Sequence, residues 1–364
     1  MRTNVETRFE LPKRTGADTA SAGVLALLRG DVTQARPEKT QVDLWTREAA
    51  QGSPQAQYEL ARTLAQTAVI SADNRAAVKW LRKAVEKEHT ASQYLLGLLI
   101  ARGQGVRPDP EKAVELFRKA AVMGNKDAQY DLGRALLWGF GCEENPSEAL
   151  TWFRLAAAQG HTEAEYESGI AYATGRGCPT DLRQAQQRLK RAALKGSAKA
   201  ALALSELNLR PDNPQADSAE ALHWCAEAAR GGLAAAQLQL AFFHWRGDGV
   251  RKSADTACDW ARRSALQGYL PAFLFLAKLL TEGETRAGRL PAEALALLMK
   301  VRSVLTDRDA RGDGKDTAEL LAQCRIRCNE LTAELSATEI ERAKRMAQAH
   351  ATPETTTTLP FMKP

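Results

Sequence analysis

One period of 36 residues governs this chain. The stretch from His89 to Gly124 sets two helical patterns around a glycine-rich turn and closes on a glycine; Asn125 to Gly160 and His161 to Gly196 repeat the plan. Glycines close units at 52, 124, 160, 196, 232 and 268, and Glu88 fills the one gap in that series. Ala56, Ser92, Ala128, Ala164, Ala200, Ala236 and Ala272 share one phase. Tyr58, Tyr94, Tyr130 and Tyr166 share a second, continued by Leu202, Leu238 and Leu274. A chain of 364 residues would ordinarily suggest two or three domains, but a regular repeat overrides that prior, because solenoids grow by adding units.

Each unit reads as helix–turn–helix. Ala128, Leu132 and Leu136 fall on one face at i, i+4 and i+8. Gly133 and its equivalents let a neighbouring helix approach closely. Gly139-Phe140-Gly141 stops the first helix, since glycine tolerates the left-handed backbone of a helix end. Asp109-Pro110 and Asn145-Pro146 restart a helix, with the polar residue as cap and proline in the first turn. The second helix carries Ala149, Trp152, Phe153, Ala156 and Ala157, and tryptophan recurs in this phase at 80, 152, 224 and 260. One hairpin leaves an apolar face exposed, so units must stack and stability is collective.

The pattern A-x-Y-x-L-G, then G-x-G, then A-x-x-W/F-x-x-x-A-A-x-x-G resembles the Sel-one-like repeat, a relative of the tetratricopeptide repeat. Ala128, Tyr130, Leu132-Gly133, Gly139, Gly141, Ala149, Trp152, Ala156-Ala157 and Gly160 carry it. The resemblance covers six units over 53–268 and weakens at Leu209 to Asp217, where Arg210-Pro211-Asp212-Asn213 replaces the glycine turn. It implies an all-α, right-handed superhelical α-solenoid of antiparallel hairpins with a concave face lined by the first helices. It also implies a bacterial, non-enzymatic adaptor.

Outside the repeats, 1–16 reads as disordered, 17–52 as a degenerate capping hairpin built on Ala20, Val24, Leu28, Leu44 and Trp45, and 269–305 as a degenerate seventh repeat. Residues 306–350 read as C-terminal capping helices, with a capping box at Ser336-Ala-Thr-Glu339, and 351–364 as a tail ending in Leu359-Pro-Phe-Met-Lys-Pro. The first residues lack the apolar core of a signal peptide, and no window has the run of about 20 apolar residues a membrane helix needs. Six cysteines form no CxxC pair and read as reduced thiols in a cytoplasmic compartment; export without a signal stays open. Net charge is +6 with both signs interspersed, which is no nucleic-acid footprint.

Signals of chemistry are weak. The GxG triplets complete no phosphate-binding motif and recur at the repeat period. The five histidines are scattered, and Cys324 with Cys328 reads as a packed pair in the cap. No cofactor or metal is expected. Asp127 and Asp131 share a helix face, as do Glu163 and Glu167, and the 36-residue offset sets the pairs side by side as an acidic ladder with Arg134 one turn on. A solvated face and a groove for basic or polar peptide groups are both open readings; a catalytic pair would lack a nucleophile and a pocket.

A candidate partner-binding stripe follows from phase: Asp127, Tyr130, Asp131, Arg134 and Trp138, then Glu163, Tyr166 and Glu167, then Phe242 and Arg246 with Trp245 alongside. Trp138, Phe242 and Trp245 exceed what the core asks for at their phases, and aromatic and arginine side chains are favoured binding anchors. Padding of an irregular contact between repeats is the equal alternative for these aromatics. The expected function is a scaffold for a protein or peptide partner. A ligand-sensing subunit of an enzyme complex and an exported effector are the alternatives. Partner identity and oligomeric state are not encoded legibly.

Overall fold

The computed structural model describes residues 37–67, 71–310 and 315–348. Among them are seventeen α-helices and no strand, so the chain is all-α and built of hairpins at the expected period. It divides into two compact units, Met1–Asp181 and Leu182–Pro364. Unit 1 contains α1 (Lys39–Ala50), α2 (Pro54–Thr67), α3 (Ser71–Val85), α4 (Thr90–Arg102), α5 (Pro110–Val122), α6 (Lys126–Trp138), α7 (Pro146–Ala158) and α8 (Thr162–Thr174). Unit 2 contains α9 (Leu182–Leu194), α10 (Ala198–Leu209), α11 (Ser218–Arg230), α12 (Ala234–Arg246), α13 (Ala254–Leu266), α14 (Leu270–Glu282), α15 (Pro291–Ala310), α16 (Lys315–Glu334) and α17 (Ala337–Gln348). From α2 to α15, even numbers are first helices of hairpins and odd numbers second helices. The readings for 1–16, for Ala20, Val24 and Leu28, and for 351–364 lie outside the described residues.

Local chemistry sets the helix ends. Asn145 Oδ1 accepts the backbone N–H of Glu148 at 3.1 Å, with Pro146 as the first residue of α7. Asp109 does the same for Lys112 at 3.0 Å. Gly139 ends α6 at φ 66°. Gly141 has a second duty the sequence does not announce. A Cβ there would collide with the backbone carbonyl of Pro110, at the start of α5 in the preceding hairpin. The triplet is thus both a helix stop and a backbone contact between repeats. In the fifth repeat α10 ends without glycine, and the buried Asn213 donates its Nδ2 to the Leu207 carbonyl at 2.9 Å, doing by side chain what the turn does elsewhere.

The small position works as expected, with a refinement. A Cβ on Gly133 would lie 2.7 Å from Phe153 Cε1, and one on Gly97 2.8 Å from Phe117 Cε1. The knob over the glycine is therefore the residue after the recurring tryptophan phase. Trp152 is only half-buried and donates its indole N–H to Glu148 Oε1 at 3.1 Å. Tyr94 and Tyr130 tilt onto Phe117 and Phe153 with the same centroid separation, 5.9 Å.

A glutamine ladder ties hairpins together. Gln57, Gln129 and Gln237 donate to the carbonyls of Ala49, Ala121 and Ala229 at 3.1, 3.0 and 3.3 Å. These are carbonyls at the ends of the preceding second helices, which also accept the backbone N–H of the closing glycines Gly52, Gly124 and Gly232. Gln159 and Gln267 then donate to Gln129 Oε1 and Gln237 Oε1, each at 2.8 Å. Thirty residues on from Gln93, at the place of Gln159 and Gln267, the chain has Met123, which is 65% exposed, and the buried Gln93 Oε1 has no hydrogen-bond partner among the described residues. Met123→Gln supplies the missing donor and should raise stability by about 1 kcal/mol. Urea unfolding beside a Met123→Leu control reads this; equal midpoints would refute it.

Glu88, the gap in the glycine series, adopts φ 57°, so the backbone keeps the turn even where the sequence departs from it. At the C-terminal end, Ser336 and Glu339 form the reciprocal capping box: Ser336 N–H reaches Glu339 Oε2 at 2.9 Å, and Glu339 N–H reaches Ser336 Oγ at 3.4 Å. Cys324 and Cys328 are buried in the cap, and Cys324 Sγ donates to the Leu298 carbonyl at 3.1 Å. All six cysteines are free thiols.

Candidate interaction surface

In unit 1 the first helices α4, α6 and α8 bring polar groups together around Asp131. Its carboxylate is 6% exposed and accepts the Tyr94 hydroxyl at 2.8 Å. Arg134 Nη1 lies 3.6 Å from its other oxygen. Burial pushes the Asp131 carboxyl up, against the pull of Arg134, the Tyr94 hydrogen bond and the charge of Arg102. Arg134 also stands over the Tyr130 ring, 5.7 Å from its centroid. Burial pushes the Tyr130 phenol up, and the Glu167 carboxylate adds to that push.

His161 closes the other side. Its Nδ1 accepts the Ala164 backbone N–H at 3.1 Å as the cap of α8, so the neutral ring carries its proton on Nε2. That nitrogen faces Asp127 Oδ1 at 3.6 Å, and the ring stacks on Tyr130 at 4.4 Å. Burial lowers the imidazole pKa, with Asp127 and Glu163 opposing.

Reading the acidic residues as a solvated ladder is therefore corrected at Asp131, which is buried. A tyrosine in a core phase needs an acceptor for its hydroxyl, and Tyr94 finds one 37 residues on. Asp127, Glu163, Tyr166 and Glu167 are half-buried and remain at the surface. Trp138 is 37% exposed and carries Arg176 over its ring at 4.3 Å; Arg176 also donates to the Leu137 carbonyl at 2.7 Å. Tyr94, Arg102 and His161 were not among the sequence candidates. The 37-residue offset from Tyr94 to Asp131 was the signal that could have found the first of them.

The remaining candidates belong to unit 2. Phe242 packs on Phe275 at 4.2 Å, and Trp245 meets the same ring edge-on at 5.7 Å. Both are half-buried against the core, which is the contact between repeats that the sequence left as an alternative. Lys278 Nζ stands 4.0 Å from the Trp245 centroid, and Arg246 is exposed. The predicted stripe is thus two sets, one in each unit. Among the described residues no group of three or more His, Cys, Asp or Glu side chains could hold a metal, and no helix is long and apolar enough to cross a membrane.

The Sel1 repeat family model matches residues 54–89, 90–125, 126–161, 162–197, 198–233 and 234–269. Each match begins at the first residue of a first helix, from Pro54 in α2 to Ala234 in α12. The chain belongs to the Sel1 repeat family. A crystal structure of a Sel1 repeat protein from Oxalobacter formigenes is 27% identical, with a TM-score of 0.60, over 67% of this chain and 96% of that one. A protective antigen present in uropathogenic Escherichia coli strains, with an SLR fold, is similar over 93% of this chain and 85% of its own at 20% identity and a TM-score of 0.51; that likeness is one of fold. No curated protein matches the sequence. Sel1 repeat proteins are generally protein-interaction scaffolds and typically non-catalytic.

Proposed function

We propose that this Sel1 repeat protein is a non-enzymatic scaffold that holds a protein or peptide partner on the faces of its first helices. The supporting observation is the network laid across α4, α6 and α8. Tyr94, Asp131, Arg134, Tyr130 and His161 fix one another by hydrogen bond, ion pair and stacking. Asp127, Glu163, Tyr166 and Glu167 remain at the surface beside them. Side chains already ordered lose less entropy when a partner arrives, so more of the contact energy appears as affinity.

Site-specific photo-crosslinking in extracts of the source organism tests this. A benzophenone side chain at Trp138 or Tyr166 should give a partner adduct. The same probe at the exposed Leu155, on the second helix α7, should give none. Adducts at Leu155 but not at the first-helix positions would overturn the assignment.

A further inference from the structure

Unit 2 presents a different surface at equivalent positions of its first helices. Leu202, Glu206 and Leu209 on α10 are followed at 36-residue steps by the buried Leu238 and the half-buried Phe242 and Trp245 on α12, and by Leu274, Lys278 and Thr281 on α14. Beyond α14 the surface drops into a cleft of about 130 Å³ whose apolar lining includes Leu274, Ala277, Leu298 and Leu331. Its charged rim is balanced: Lys278 pairs with Glu282 at 3.6 Å, and Arg289 with Glu334 at 3.3 Å.

Glu206 is the one carboxylate of its phase. Leu98, Ile170 and Phe242 at the matching positions are apolar, and the cations Arg62, Arg134 and Lys278 each have a carboxylate within reach on their own helix, Glu59, Asp131 and Glu282. Glu206 is partly buried and has no hydrogen-bond or ion-pair partner among the described residues. The cation one turn on, Arg210, is drawn to Asp212 at 2.6 Å. Leu209, 45% exposed, lies on the same stripe of α10, and Phe242 is the next residue across on α12. Tyr269, the cap of α14, is close enough for the Glu206 charge to push its phenol up, after burial. Burial pushes the Glu206 carboxyl up to about 7, as expected of a carboxylate with no counter-charge.

We infer that the first-helix face of unit 2 takes a basic, apolar segment of a protein partner. An arginine or lysine pairs with Glu206, neighbouring apolar side chains lie on Leu202, Leu209, Phe242 and Trp245, and one enters the cleft at Leu274 and Leu331. Charge complementarity selects this occupant: the strip is apolar, the rim is neutral, and one carboxylate is uncompensated. A buried charge is costly alone and repaid by a well-placed partner. The inference rests on the scaffold reading and narrows it to one chemistry in one unit.

The test is fluorescence anisotropy on the full chain with three labelled peptides that differ only at one position within a leucine-rich run: arginine, citrulline or glutamate. The arginine peptide should bind about tenfold more tightly than the citrulline peptide, and the glutamate peptide most weakly. Glu206→Gln, which keeps the side-chain shape, should erase the preference for arginine while leaving the citrulline peptide unchanged. Phe242→Ala should weaken both about equally. Equal affinity for arginine and citrulline, a preference that survives Glu206→Gln, or binding by none of the peptides would overturn the inference. The crosslinking at Trp138 and Tyr166 probes unit 1, so the scaffold reading stands or falls separately.

Discussion

Gly141→Ala should destabilise unit 1 by about 3 kcal/mol or more, whereas Gly124→Ala should cost only about 1 kcal/mol. Both glycines adopt left-handed backbone, at φ 64° and 88°, so both substitutions incur the conformational cost, about 1 kcal/mol. Only Gly141 adds a collision. Its new Cβ would meet the Pro110 carbonyl, a backbone group at the start of α5 that cannot rotate away, while nothing lies within 4 Å of a Cβ on Gly124. Relief requires the turn after α6 to lift off the preceding hairpin, which loosens the stacking on which a repeat protein's stability depends. Thermal unfolding reads the difference: at 2–4 °C per kcal/mol, Gly141→Ala should lose roughly 6–12 °C. Hydrogen exchange should rise first in α5 and α6. Equal losses for the two variants would mean that the triplet is a helix stop and nothing more.

The second large effect is expected at Asp131. Asp131→Ala removes the acceptor of the Tyr94 hydroxyl and the counter-charge of Arg134 from a buried place. A buried hydroxyl left without its acceptor, together with the loss of a buried ion-pair contact, costs about 3 kcal/mol. Asp131→Asn keeps an acceptor for Tyr94 and should lose clearly less than the alanine variant. Tyr94→Phe combined with Asp131→Ala should cost less than the sum of the two single changes, because the second substitution removes a group that the first has already orphaned. Strict additivity in urea unfolding would show that the two side chains are not energetically coupled. If Asp131 acted as an ordinary surface carboxylate, the alanine variant would lie within about 0.5 kcal/mol of the parent.

Much of this was legible in the sequence. The period survives even where single residues fail it, since a hairpin has a fixed length and the chain must return in phase to bury its apolar face. Glu88 illustrates the point: the turn conformation persists at φ 57° without the glycine that favours it. Helix starts at Asp109 and Asn145 were equally readable, because a cap and its helix are neighbours in sequence. Phase alone also marked Gly133 as a place of close helix approach, but did not say that Phe153 would lie over it.

Contacts between residues on different hairpins were not readable in this way. Asp131 and Asp127 look alike on paper, four residues apart on one helix. Asp131 is buried because Tyr94 of the preceding hairpin meets it, and Asp127 faces the His161 that caps the next first helix. Phase left Phe242 and Trp245 open as anchors or as padding; only the structure shows that each touches Phe275 while staying half-buried. Nor did phase show that Arg210, four residues on from Glu206, pairs with Asp212 in the loop that replaces the glycine turn.

Sequence by itself determined the all-α class, the hairpin length and most helix boundaries of this Sel1 repeat protein, because those depend on backbone preferences and on apolar spacing within one unit. Tertiary structure alone decided which polar side chains are buried, which are paired and which stay open to a partner. Burial and pairing are set by the neighbouring hairpin, and a 36-residue period says where that neighbour lies but not which side chain it offers.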